Sequence, residues 1–173
     1  LVATVRALKH HGGAAKADLG REDLAALERG LPNLLQHVDN IKNVFGLPCV
    51  VAVNAFPTDT AAELRLVEDK CRELGVRVAL SEVWAKGGEG GRALAEEVVR
   101  LCGQPSDFRY SYDLDGSIED KLEAICRRVY RADGVALTPA AKKQAQRLTE
   151  LGFGRLPICM AKTQYSFSDD PAL

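Results

Sequence analysis

Several common features are scarce in this sequence of 173 residues, and each absence excludes a class of protein. The net charge is only −1, from 23 basic and 24 acidic residues, so no broad electrostatic attraction to nucleic acid or anionic membrane is expected. No apolar run approaches the ~20 residues that are needed to span a bilayer. We therefore expect neither a nucleic-acid partner nor a membrane.

Cysteine patterns for metal binding are also missing. The five cysteines are widely spaced, and no Cys-x-x-Cys pair or Cys/His cluster has metal-ligand spacing. We expect reduced core thiols in a cytoplasmic protein, and no metal site. There is neither an initiator methionine nor a signal peptide, and the first residues resemble a strand already under way. We therefore expect both ends to be cuts in a longer protein.

Helical and strand-like patterns alternate in the first hundred residues. Residues 22–45 are predicted to form two helices, with Gly30 ending the first and Pro32 in the first turn of the second. Residues 49–53 and 76–80 are apolar and β-branched, as in strands that are covered on both faces. This alternation predicts an α/β fold with a parallel sheet between layers of helices.

A change of composition predicts two domains. Residues 103–116 are polar and aromatic without periodicity, so we place a boundary there. Residues 1–103 then form one α/β domain, and residues 104–173 form a second α/β subdomain. In the second, Ser117 is expected to begin a helix and residues 156–160 to form a strand.

The segments after the strands are candidate binding loops, because ligands of parallel sheets bind at the carboxyl ends of the strands. Asn54 follows the first buried strand, and its amide either bonds a ligand or closes an Asx turn. After the next strand, Lys86, Gly87 and Gly88 belong to a glycine-rich segment that either lets a ligand approach the backbone or forms only a tight turn.

Two aromatic residues strengthen the case for these loops. Trp84 is the only tryptophan of the chain, and Phe56 lies in the neighbouring loop. Both are off the periodic apolar faces where core aromatics are expected. Facing rings would form a slot for a flat heterocycle, with stacking worth ~1–3 kcal/mol per ring. A local hydrophobic contact between the loops is the alternative.

Basic residues follow the outer strands as well. Arg6 and Lys9 precede a Gly-Gly pair, which suits phosphate or carboxylate binding but also an exposed basic turn. Lys162, after the strand predicted at residues 156–160, either donates to a ligand or caps that strand.

Five stretches of the chain resemble formate–tetrahydrofolate ligases. The most specific is residues 2–13, which read Val-Ala-Thr-Val-Arg-Ala-Leu-Lys-His-His-Gly-Gly, where the family has Val-Ala-Thr-Ile/Val-Arg-Ala-Leu-Lys-x-His/Asn-Gly-Gly. The other stretches are residues 33–42, 51–60, 81–90 and 156–166. Their Phe-Pro-Thr-Asp and Trp-Ala-Lys forms resemble the bacterial single-activity members.

The resemblance implies an ATP-dependent ligase that makes 10-formyltetrahydrofolate from formate and tetrahydrofolate through formyl phosphate. It implies a P-loop NTPase-like three-layer main domain, MgATP, a monovalent cation and a homotetramer. It also implies that Phe56 and Trp84 flank the folate pterin, and we place Asn54 beside them. No catalytic residue is assigned.

One signature is absent. A phosphate-binding Gly-x-x-x-x-Gly-Lys-Ser/Thr loop occurs nowhere in the 173 residues. Because that loop and Mg²⁺ do most of the electrostatic work of phosphoryl transfer, we predict that this chain alone has no ligase activity. The alternatives are a GTPase-like module, in which Asp59 would read guanine, and a non-catalytic nucleotide-binding module.

Overall fold

The computed structural model describes residues 1–160 and 167–168, which divide into two units between Asp107 and Phe108. The strands of the first unit are β1 (Val2–Ala3), β2 (Val50–Asn54) and β3 (Arg77–Ser81). Its helices are α1 (Val5–His11), α2 (Leu24–Asp39), α3 (Ala61–Glu73), α4 (Val83–Lys86) and α5 (Arg92–Cys102). The helices of the second unit are α6 (Ile118–Arg128) and α7 (Pro139–Glu150).

The three strands form one parallel sheet in the order β1-β2-β3. The central strand β2 is buried up to its last residue, Asn54, which lies opposite Ser81. Val51 and Val53 pack with α1, α2 and α3, whereas Val50 lines a cleft with residues of α5. Helices thus cover both faces, which confirms the predicted mixed α/β fold with a parallel sheet.

The core of the first unit is aliphatic. Burying a valine or leucine side chain contributes ~1.5–3 kcal/mol. The buried cluster consists of Val5, Leu8, Leu27, Leu31, Leu34, Val38, Val51, Val53, Val67, Cys71 and Val76. None of the described helices is both long enough and apolar enough to cross a bilayer.

Helix α2 runs without a break through Gly30, so the prediction of two separate helices is wrong. The glycine instead permits close packing against α1. A Cβ on Gly30 would lie 1.8 Å from the Leu8 carbonyl oxygen, and one on Gly12 would lie 1.7 Å from the Ala26 carbonyl oxygen. Because only glycine fits at such contacts, Gly30 serves helix packing rather than helix termination.

The helix also tolerates Pro32 in its interior. A proline has no N–H, so the carbonyl of Glu28 loses its helical partner. Glu28 lies on the exposed side of the helix, where water can hydrate that carbonyl. A π-helical turn, Asn40–Val44, then continues the helix before Gly46, whose φ is 67°.

In the second unit, side-chain caps begin both helices. Ser117 accepts a hydrogen bond from the Asp120 N–H, and the Asp120 carboxylate accepts one from the Ser117 N–H, which makes a reciprocal capping box. Thr138 caps α7 through the Ala141 N–H. The predicted helix start at Ser117 is therefore confirmed.

The strand predicted at residues 156–160 is not formed. The Ile158 carbonyl accepts a hydrogen bond from the Tyr112 hydroxyl, which in turn accepts one from the Ile158 N–H, both at 2.9 Å. Pro157 has no N–H to offer, and Leu156 and Met160 are 56% and 44% exposed. The backbone groups of Ile158 that a neighbouring strand would use are thus already bonded, and the N–H of Pro157 is absent. Lys162 lies outside the described residues.

Candidate functional site

Three candidate residues follow the ends of three adjacent parallel strands. Arg6 lies in the first turn of α1, just after β1; Phe56 lies two residues after β2; and Trp84 lies three residues after β3. The three strands are neighbours in the order β1-β2-β3 and run parallel, so the segments that follow them leave the sheet at the same edge. This is the edge at which open α/β sheets bind ligands.

Phe56 and Trp84 line one cleft of about 290 Å³, together with Asn54, Ala55 and Pro57. Trp84 is 83% exposed and Phe56 is 37% exposed, so neither ring belongs to the hydrophobic core. The lining is largely apolar, with the amide of Asn54 as its polar side chain. The structure therefore brings together the three residues that the sequence suggested for a folate site, and their binding role stays a prediction.

The loop that carries Phe56 is fixed by hydrogen bonds at both ends. The Ala55 N–H donates to the Ser81 carbonyl at 3.0 Å, which ties the loop to the end of β3. The Phe56 N–H donates to Oδ2 of Asp59 at 2.9 Å, and the Phe56 carbonyl accepts from the Asp59 N–H at 2.9 Å. Phe56 is thus held by its own backbone in a defined place beside the cleft.

Asp59 is used inside its own loop. Its Oδ1 is buried without a hydrogen-bond partner in the described residues, and Oδ2 accepts the Phe56 N–H. Burial raises the pKa of Asp59, and the Phe56 hydrogen bond opposes that rise. The GTPase alternative needs this carboxylate to read guanine, and the observed geometry gives it a loop-closing role instead.

Arg6 contacts the ring of Phe56. The guanidinium carbon lies 5.2 Å from the ring centroid, within the range of a cation–π interaction. Within the described part of the chain, the guanidinium makes no hydrogen bond. The sequence suggested Arg6 as an anion contact or as part of an exposed basic turn, and it missed this pairing because the two residues are 50 positions apart. The available signal was that both follow adjacent strands.

The segment with Trp84 is more ordered than a simple loop. Residues 83–86 form the short helix α4, and a 3₁₀ segment, Gly87–Gly91, follows it. The Glu82 N–H donates to the Gly90 carbonyl at 3.0 Å, and a Cβ on Gly90 would lie 2.4 Å from the Glu82 carbonyl oxygen. Gly90 therefore serves a close backbone contact that folds the segment back on itself.

The other candidates of this segment lie toward open space. The Lys86 ammonium forms a 2.6 Å ion pair with the Glu82 carboxylate, and both side chains are substantially exposed. A Cβ on Gly87 or Gly88 would meet no atom within 4 Å, so neither glycine is required for packing. Gly87 has a φ of 58°, a conformation that glycine adopts without strain.

Lys9 does not face a ligand, which corrects the expectation for that residue. Its side chain is 0% exposed, and its ammonium lies 2.7 Å from Oε1 of Glu63 and 2.7 Å from the Arg21 carbonyl oxygen. Lys9 lies on the buried side of α1, together with Val5 and Leu8. Its charge therefore serves the fold rather than a ligand.

Glu63 is the buried partner of that lysine. It also accepts the Asp23 N–H at 3.1 Å and the Thr60 N–H at 3.0 Å. Burial raises the pKa of Glu63, but the hydrogen bonds from Lys9, Thr60 and Asp23 outweigh it and hold the pKa below its usual value. The capping box that Thr60 and Glu63 form at the start of α3 is a local sequence pattern, whereas no local pattern points to the lysine.

No cluster of metal ligands occurs in the described residues. Among residues 1–160 and 167–168, no group of three or more His, Cys, Asp or Glu could hold a metal ion. The sequence also has no P-loop to hold the phosphates. No step of phosphoryl transfer is therefore assigned to these residues.

Comparison with known families identifies the family of the chain. The sequence model of the family described as formate–tetrahydrofolate ligase matches residues 1–173, the whole chain. The chain belongs to the formate–tetrahydrofolate ligase family. The resemblance found in the sequence is thus confirmed along the full length. Formate–tetrahydrofolate ligases are enzymes of one-carbon metabolism, which gives the Phe56–Trp84 cleft a defined class of ligand to be tested against.

Proposed function

We propose that this chain supplies the pterin-binding part of an ATP-dependent ligase that makes 10-formyltetrahydrofolate from formate and tetrahydrofolate. The observation that carries the proposal is the cleft between Phe56 and Trp84, two exposed rings at the ligand-binding edge of a parallel sheet. In this proposal the pterin ring lies between them, and the amide of Asn54 bonds one polar edge of the heterocycle.

The size of the cleft supports this assignment. At about 290 Å³, it lies near the lower end of the range for small-molecule sites, about 300–1,000 Å³. A cleft of this size suits one flat heterocycle rather than a whole folate. The tail of the substrate would then extend along the surface, where Lys86, Gly87 and Gly88 are exposed. Lys86 would exchange its ion pair with Glu82 for a carboxylate or phosphate of a ligand.

The remaining chemistry belongs to other parts of the proposed enzyme. Formate would be phosphorylated by MgATP on a P-loop outside these 173 residues, and the formyl group would pass from formyl phosphate to N10 of tetrahydrofolate. We also propose the P-loop NTPase-like main domain, the monovalent cation, the homotetramer and the cytoplasmic location for the complete enzyme. The chain alone is expected to be inactive, and formyl transfer by residues 1–173 would contradict this.

Replacing Trp84 tests the cleft. In the complete ligase, Trp84→Ala should raise the KM for tetrahydrofolate by roughly 5- to 150-fold, because it removes one stacking surface worth ~1–3 kcal/mol. The KM for ATP should change little. The matched control is Val99→Ala, which shortens another apolar side chain, 73% exposed, on α5. An unchanged folate KM, or a larger effect on ATP, would contradict the proposal.

Fluorescence gives a second measurement that does not depend on turnover. Trp84→Phe keeps an aromatic surface and removes the indole signal, so the difference between wild type and this variant isolates the emission of Trp84. Tetrahydrofolate should quench that difference signal, and formate or ATP alone should not. A difference signal that ignores tetrahydrofolate in the folded enzyme would count against the pterin slot.

A further inference from the structure

The inference concerns Arg6 and its contact with Phe56. The Thr4 hydroxyl accepts the Ala7 N–H at 3.0 Å and so caps α1, which fixes the first turn where Arg6 lies. From this turn the guanidinium reaches the Phe56 ring, with 5.2 Å between its carbon and the ring centroid. Arg6 is half-buried, and among the described residues it has this ring contact and no hydrogen bond. Burial raises the pKa of the nearby Asp59, and the charge of Arg6 acts to lower it.

Arg6 is not among the residues that line the cleft. The guanidinium therefore contacts the ring of Phe56, a residue of the cleft, without lining the cleft itself. The hydrogen bonds of the loop fix the backbone of Phe56 but leave its ring free to rotate about the side-chain bonds. With a cation packed on it, fewer ring orientations are favourable, because the attraction depends on the charge lying over the ring.

Asp59 acts on the same residue through the backbone. Its carboxylate accepts the Phe56 N–H at 2.9 Å, so the main chain of Phe56 is fixed independently of the ring. The two charged residues thus divide the work, with Asp59 holding the backbone and Arg6 holding the side chain. Asp59 lies at the end of the loop that carries Phe56, whereas Arg6 lies in α1, the helix that follows the adjacent strand β1.

We propose that Arg6 is a positioning residue of the pterin cleft, which holds the Phe56 ring in the orientation that stacks on the ligand. This inference rests on the proposed function of the cleft. Arg6 does not touch the pterin; it acts through Phe56, and its effect on binding disappears when that ring is removed.

The test measures tetrahydrofolate in the complete ligase with Arg6→Ala. Losing the ring contact should raise the KM for tetrahydrofolate, and the Kd from the Trp84 difference signal, by about 2- to 5-fold, which corresponds to ~0.5–1 kcal/mol. The KM for ATP and the Tm should stay near the wild-type values. Arg6→Lys keeps a cation and should recover part of the affinity, whereas Arg6→Met keeps the apolar stem alone and should not.

A double-mutant cycle with Phe56→Ala decides how Arg6 acts. In the Phe56→Ala background, Arg6→Ala should have no further effect on the KM for tetrahydrofolate. The matched control is Arg65→Ala, an exposed arginine of α3 with no ring contact among the described residues. If the two effects multiply, or if Arg6→Ala matches the Arg65 control, the inference is overturned.

The proposed function fails separately. If Trp84→Ala and Phe56→Ala both leave the folate KM unchanged, the cleft does not bind the pterin at all. If those two variants lose affinity while Arg6→Ala does not, only the positioning role is wrong. Should Arg6→Ala fail to fold, the comparison of Arg6→Lys with Arg6→Met still reads out the charge.

Discussion

The buried pair of Lys9 and Glu63 offers the most demanding test of the fold. Both side chains are 0% exposed, and the ammonium lies 2.7 Å from the carboxylate. Glu63→Gln keeps the shape of the side chain and removes its charge, which leaves the lysine buried without a counter-charge. Breaking a buried pair from one side costs about 3–5 kcal/mol.

The hydrogen bonds of the Glu63 carboxylate indicate that Glu63→Gln costs as much as this range, and not less. The Glu63 carboxylate joins three helices, because it bonds Lys9 in the last turn of α1, the Asp23 N–H at the start of α2 and the Thr60 N–H at the start of α3. A glutamine has a single acceptor oxygen, so its NH₂ group must face one of these donors. We therefore expect Glu63→Gln to lower the free energy of unfolding by about 3–5 kcal/mol and to lower the Tm accordingly.

The assay is thermal unfolding monitored by calorimetry, and Glu68→Gln is the matched control. Glu68 lies on the same helix and pairs with Arg72 at the surface, where such a pair contributes only ~0–1 kcal/mol. A second variant, Lys9→Met with Glu63→Leu, removes both charges and should recover much of the loss. If Glu63→Gln is no worse than Glu68→Gln, the buried pair does not have the stability assigned to it.

The same pair predicts a pH dependence. Because folding lowers the pKa of Glu63, its ionised form contributes stability above the unfolded pKa near 4.5, and this contribution is lost as the pH falls through the lower folded pKa. The gap in Tm between wild type and Glu63→Gln should therefore be widest near neutral pH and should narrow below about pH 4.5. A gap that stays constant down to strongly acidic pH would contradict the linkage.

Two further substitutions test the packing and the caps. Gly30→Ala should destabilise the protein by about 1–3 kcal/mol or more, because the new Cβ would lie 1.8 Å from the Leu8 carbonyl oxygen. Alanine is the better helix former, so a raised Tm would show that α1 and α2 do not cross this closely. Ser117→Ala should cost ~1 kcal/mol by removing one half of the capping box of α6, while Ser117→Thr should be nearly neutral in the same unfolding assay.

Features encoded by neighbouring residues were predictable from the sequence. The capping boxes at Thr60 and Ser117 each join residues three apart, so the chain carries the whole pattern locally. The strands near residues 50 and 77 were also predicted, because β-branched apolar runs bounded by turn residues have few alternatives. The parallel sheet followed from their alternation with helices.

Features that depend on distant contacts were missed. A glycine within a helical pattern usually indicates a helix end, and only the Leu8 carbonyl beside it shows that Gly30 is there for packing. For Lys9 the sequence suggested either an anion contact or an exposed basic turn, and the structure shows neither, because the lysine is buried against Glu63, 54 positions away. The strand predicted at residues 156–160 failed because Tyr112, 46 positions away, bonds Ile158.

The candidate cleft lies between these two cases. Neighbouring parallel strands carry their following loops to one edge, so the approach of Phe56 and Trp84 follows from topology that the sequence already indicated. What the sequence did not give is the exposure of the indole. Burying a tryptophan removes ~150–250 Å² from water at ~25 cal/mol per Å², so a ring that is 83% exposed forgoes roughly 3–5 kcal/mol. A folded chain that leaves this much burial unused next to Phe56, and fixes Phe56 from two sides, has a surface suited to a flat ligand that supplies the missing contact.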